Sequence, residues 1–142
     1  MEAKSDGNHH VLLRFLQNED GTSTIEFVLW LPLVLLILLL ITDSSMLFMS
    51  RSHAIRVLQD TNRLYSVGQF TGDAAERITK AQAYALSRLA GLSPSATVTT
   101  SETNRVVRTT ATMQTREIAP IGFLGVMMDG QIVVVAEHRV EF

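Results

Sequence analysis

Residues 26–43, EFVLWLPLVLLILLLITD, decide the fold: a run of sixteen uncharged, almost wholly apolar residues bracketed by Glu26 and Asp43. About 20 residues of helix cross a hydrocarbon core roughly 30 Å thick, so residues 25–46 suffice if the two acids lie near the interfaces. A helix that covers a soluble core keeps a polar stripe, and this run has none. Trp30 stands near one end, where an amphipathic ring suits a membrane interface. Pro32 removes one backbone donor and is expected to bend the helix near its start.

Working outward, the chain of 142 residues has room for one modest core. Its mean hydropathy of +0.20 is high for a small soluble domain. Lys4 and Arg14 stand against Glu2, Asp6, Glu19 and Asp20, so the whole net charge of -2 lies in residues 1–21 and the remainder is balanced. No basic field argues for nucleic acid. With no cysteine there is no disulfide framework, thiolate nucleophile or Cys-based metal site. His9 and His10 fall in the N-terminal stretch, and His53 and His138 are isolated in sequence, so no metal set emerges. HExxH, P-loop, GxGxxG and GxSxG patterns do not occur. No cofactor, small-molecule substrate or catalytic role is expected.

A cleavable secretory signal fits poorly. The apolar run exceeds the usual core of such signals, its leader is long and acidic, and ITDSSM (41–46) offers no small-x-small site. The run is therefore expected to stay in the protein. Three arginines, Arg51, Arg56 and Arg63, follow it, which by the positive-inside count alone would place the C-terminal side in the cytoplasm.

The acid at the head of the run has an ordinary explanation. Ser23-Thr24-Ile25-Glu26 fits a capping box, with Ser23 as cap and Glu26 reaching back to a backbone N–H. Gly21 and the polar leader are left unexplained by it. GTSTIEFVLWLPLVLLILLL (21–40) resembles the processing and membrane segment of prepilin-like proteins. More narrowly, its Gly-x-x-x-x-Glu-Phe-x-x-x-x-Pro pattern resembles the TadE-like (TadE/TadF-like) pseudopilins of the tight-adherence, Flp-type pilus system.

That resemblance implies cleavage between Gly21 and Thr22 by a prepilin peptidase. It also implies a motif role for Glu26 and Phe27 in processing and assembly, and partnership with other pilins and the pilus assembly platform. The family topology puts the N-terminus in the cytoplasm, the helix in the inner membrane and the C-terminal domain in the periplasm, against the arginine count. The domain reading is a leader at 1–21, a membrane helix with its outward extension at 22–70, and a small outer domain at 71–142. A different class of function fits the bare layout: an unprocessed signal-anchor protein whose outer domain binds a ligand or partner.

The remaining chain reads as α+β. Residues 44–65 lack Pro and Gly, so the helix is expected to continue, with Ala54, Ile55, Leu58 and Tyr65 on one side and Ser52, Arg56, Gln59 and Arg63 on the other. The outer half is expected to cover its own domain, and Arg56 and Asp60 are spaced for an i,i+4 pair. Gly68 and Thr71-Gly72 break the helix. Asp73 caps a second one carrying the stripe Ala74, Ile78, Ala81, Ala85 and Leu89 and an outward Glu76–Lys80 pair, and Gly91 and Pro94 end it. Residues 95–116 alternate as a strand, with Val107, Thr109, Ala111 and Met113 on one face. QIVVVAEHRVEF (131–142) alternates likewise, with Ile132, Val134, Ala136, Val140 and Phe142 inward. Asp129-Gly130 is a hairpin-turn signal, and the apolar IAPIGFLGVMMDG (118–130) is expected in the core, with an exposed patch for a partner as the alternative.

Overall fold

The computed structural model describes residues 20–119, 124 and 130–141, with side chains from Thr24 onward. One helix, α1 (Asp20–Ser66), precedes a shorter helix, α2 (Ala74–Leu89). A meander follows, of β1 (Thr97–Thr103), β2 (Val106–Gln114) and β3 (Gln131–Arg139), with a four-residue helix, α3 (Thr115–Ile118), directly after β2. The α+β layout expected from the sequence is the one observed: a long N-terminal apolar helix, a second helix and a short antiparallel sheet. By packing the chain divides into two units, Met1–Leu38 and Leu39–Phe142, so the compact unit starts within α1 rather than after it.

In the N-terminal unit the described residues are helical throughout, Pro32 included. Helix already includes Asp20 through Thr22, which makes Ser23 the fourth residue of α1 and Glu26 the seventh. The capping-box reading therefore gives way: a residue with helical neighbours before it is not an N-cap.

In the C-terminal unit the sheet order is β1-β2-β3, every pairing antiparallel. Inner-face residues Val107, Ala111 and Met113 of β2 and Val134 and Ala136 of β3 are buried, while Val133 and Val135 face outward. Against this face pack Ala54 and Leu58 of α1 and Ala85 and Leu89 of α2, forming one core; Tyr65, Ala81, Val107 and Val140 form a second, smaller cluster. Alanines at these crossings let the backbones approach closely. The outer half of α1 covers its own domain, as expected.

The helix ends obey local chemistry. Gly68, at φ 74°, closes α1: its N–H donates to the Tyr65 carbonyl, and Gln69 N–H donates back to Leu64. This is the double bond pattern that a left-handed glycine makes possible. Asp73 caps α2 by accepting from the Glu76 N–H at 2.8 Å, and Lys80 reaches Glu76 at 4.0 Å on the exposed side. Ala81, Ala85 and Leu89 of the predicted stripe are buried and Ile78 half-buried, whereas Ala74 is exposed.

Two strand expectations change. Residues 97–114 are two strands, not one, folded back at Asn104 and Arg105, whose φ values of 53° and 61° make the tight turn. Gly130 does not close a two-residue hairpin, because residues 115–130 connect β2 to β3 although Gln114 and Gln131 are paired. Asp129, Phe142 and most of 118–130 lie outside the described residues; of that apolar segment Ile118 and Ala119 are buried.

Candidate functional site

Glu26 and Phe27 stand on the solvent-facing surface of α1, Phe27 66% exposed. Gly21 and Thr22 belong to the same helix. Thr22 and Glu26 are four residues apart, hence on one face. Behind this motif every large apolar side chain from Ile25 to Leu38 is exposed, from 39% at Leu36 to 71% at Leu29. Covering one such side chain is worth about 1.5–3 kcal/mol, so the run as a whole favours an apolar surrounding by tens of kcal/mol. That exceeds the net stability of an entire small domain. The helix is long and apolar enough to cross a membrane, and none of its most apolar window is buried within the protein.

Asp43 closes the apolar run. It is fully buried in the C-terminal unit, and its Oδ2 accepts the Leu124 N–H at 3.1 Å. A lone acid at the end of an apolar run was the available signal; that it would fold inward against residue 124 depends on tertiary contacts that spacing does not report. The expected Arg56–Asp60 pair is also absent among the described residues. Asp60 accepts instead from the Tyr84 hydroxyl at 2.9 Å, which raises the Tyr84 pKa, and Arg88 stacks 5.2 Å from that ring.

Three polar clusters escaped sequence reasoning. Asn62, 1% exposed, donates through Nδ2 to the Ala136 carbonyl at 2.8 Å and accepts through Oδ1 from the Thr109 hydroxyl at 2.6 Å. Thr109 in turn lies 3.0 Å from Thr100, its register partner on β1. One side chain of α1 thus bonds β2 and β3 directly and reaches β1 through Thr109. Nearby, the buried Tyr65 donates to Glu102 Oε2 at 2.6 Å, with the Arg77 guanidinium 5.6 Å over its ring and 3.9 Å from Glu102. Burial, then the carboxylate bond, pushes the Tyr65 pKa up to about 12. Glu117 is held below the ordinary carboxylate range by hydrogen bonds from Ser93 and Ser95, which fasten α3 to the turn before β1.

Among the described residues, no group of three His, Asp or Glu side chains is arranged to hold a metal ion. The distinctive feature of the chain is its first helix, and comparison with known families falls there. The family model for TadE-like proteins matches residues 21–63. The segment is similar to TadE-like proteins. The matched stretch opens on Gly21, includes Glu26, Phe27 and Pro32, and runs through Asn62, so it takes in both the exposed apolar run and the outer half that packs on the sheet. No curated protein and no solved structure matches the chain. Among the described residues, one helix is long and apolar enough to cross a membrane, which fits a single-pass membrane protein.

Proposed function

We propose that this chain is a membrane-anchored minor pseudopilin, trimmed by a prepilin peptidase between Gly21 and Thr22, that assists assembly of a Tad/Flp-type pilus. It acts as a structural and assembly component rather than as an enzyme. The observation that carries the reading is the coincidence of the TadE-like match, opening on Gly21, with a helix whose large apolar side chains from Ile25 to Leu38 are all exposed.

The chemistry is specific. Hydrolysis of the Gly21–Thr22 bond would leave an α-ammonium on Thr22, one helical turn from the Glu26 carboxylate. At the edge of a low-dielectric phase that pairing offsets the cost of both charges, and the partner carboxylate can come from the same chain or from a neighbouring subunit. Gly21 suits a protease because its missing Cβ lets another backbone approach. We place the N-terminus in the cytoplasm and the C-terminal unit in the periplasm, on the family resemblance and against the arginine count.

N-terminal sequencing of the protein extracted from membranes tests the reading. A chain beginning at Thr22 supports it; a chain beginning at Met1 in cells with an active prepilin peptidase sinks it. In Glu26→Ala, cleavage should persist while pilus production falls. A periplasm-only reporter fused after Phe142 should be active, and a silent reporter would favour the arginine count.

A further inference from the structure

A groove of about 570 Å³ opens between α1 and the start of β3, within the C-terminal unit. Its apolar walls are Leu47, Phe48, Ile132 and Val133, and among the described residues Arg51 is the one charged residue that lines it. We infer that this groove holds an anionic phospholipid from the leaflet on the C-terminal side of the span, with the phosphate on Arg51 and the glycerol and upper acyl chain against the apolar walls. The inference rests on the membrane-spanning reading of α1, not on processing or on the pilus role.

Three observations carry it. First, the groove is amphipathic in the sense a lipid requires. Phe48 is 74% exposed and Val133 52%, which is costly in water, yet both flank a cation. Second, the charge is available. Arg51 is exposed and has no ion pair or hydrogen bond among the described residues. Asp43, two turns earlier on α1, does not neutralise it, being fully buried and engaged by the Leu124 N–H.

Third, the depth is right. The apolar run can span to Met46, and Arg51 lies five residues further, a rise of about 7.5 Å. The headgroup layer is about 5–8 Å thick on each side of the hydrocarbon core. Side chains on a helix also tilt toward its N-terminus, which here is toward the bilayer. The guanidinium therefore reaches phosphate level, where its fork can bind two oxygens at once.

The test uses the full chain in nanodiscs, with Trp30→Phe and Phe48→Trp making position 48 the single tryptophan. Brominated phosphatidylglycerol and brominated phosphatidylcholine are compared as quenchers at equal mole fraction. The expected result is a preference for phosphatidylglycerol of about fivefold, the usual effect of one basic residue at a membrane surface. Arg51→Gln should remove that preference, and Arg63→Gln, three turns further out, should not. Val133→Asp should remove it too, whereas Val135→Asp, on the same face of β3 but outside the groove, should leave it. Equal quenching by the two lipids would overturn the inference, as would a preference that survives Arg51→Gln. A preference lost equally in Val135→Asp would reduce it to surface charge and overturn the groove. Quenching by neither lipid would mean that protein covers the groove, such as a second copy of this chain, and would overturn it as well.

Discussion

Replacing Asn62 by leucine, close to it in size but without its amide, should destabilise the C-terminal unit by about 2–4 kcal/mol. Two buried hydrogen bonds disappear, to the Ala136 carbonyl and from the Thr109 hydroxyl. A typical bond contributes about 0.5–1.5 kcal/mol net, and a buried group left unmatched costs about 1–3 kcal/mol. Thr109 keeps its contact with Thr100, so the larger penalty falls on Ala136. Thr109→Val alone should cost about 1–3 kcal/mol, because it strands the Asn62 oxygen. The double variant should be milder than the sum by about 1–2 kcal/mol, since one of the two orphaned groups is then gone. Urea unfolding of the detergent-solubilised full chain, read by hydrogen exchange across residues 131–139, measures all three values. An Asn62→Leu protein within about 0.5 kcal/mol of the parent, or strict additivity in the double variant, would refute the claim that this side chain couples the helix to the sheet.

Further outcomes are expected. Because Tyr65 has its folded pKa raised to about 12, its contribution to stability is fully present below about pH 10, the ordinary tyrosine value, and is lost as pH rises toward 12. The difference in stability between parent and Tyr65→Phe should therefore be constant up to about pH 10 and change only above it, in urea melts at stepped pH. Gly72 sits at φ +124°, and an added Cβ there would run into the Glu76 side chain. Gly72→Ala should cost about 1–3 kcal/mol and speed amide exchange in the first turn of α2.

The elements that were legible in the sequence are those set by local chemistry. The Asp73 cap, the Gly68 stop and the alternation of Val107 to Met113 each follow from a side chain acting on its own backbone or from a two-residue period. The apolar run was legible for the same reason: its character needs no partner inside the chain. What stayed hidden depends on distant contacts. Asp60 turned from Arg56 to Tyr84, a residue 24 positions away, because the two helices meet there. Asn62 reads in sequence as an ordinary polar helix residue, and only the approach of β2 and β3 makes it a tie between the helix and two strands. The turn at Asn104 and Arg105 lacked the expected glycine; asparagine tolerates a left-handed backbone, but arginine gives no such signal.

The division of α1 between the two units bears on how its variants are to be interpreted. The processing and assembly motif ends at Phe27, and the compact unit starts at Leu39, twelve residues or about 18 Å of helix later. No core residue of the C-terminal unit comes from the motif: the earliest in its main cluster is Ala54, with Leu47 packed beside it. A substitution at Gly21, Glu26 or Phe27 should therefore leave the melting behaviour of that unit unchanged while it alters cleavage or assembly. Asn62→Leu should do the reverse, weakening the fold but leaving the N-terminal cut intact. If Glu26→Ala lowers pilus yield and also destabilises residues 39–141, the independence of motif and domain is wrong. Loss of the pilus would then be a folding defect rather than evidence for the charge pairing assigned to Glu26. Measuring both readouts on both variants separates a carboxylate that acts in assembly from one that holds the chain together.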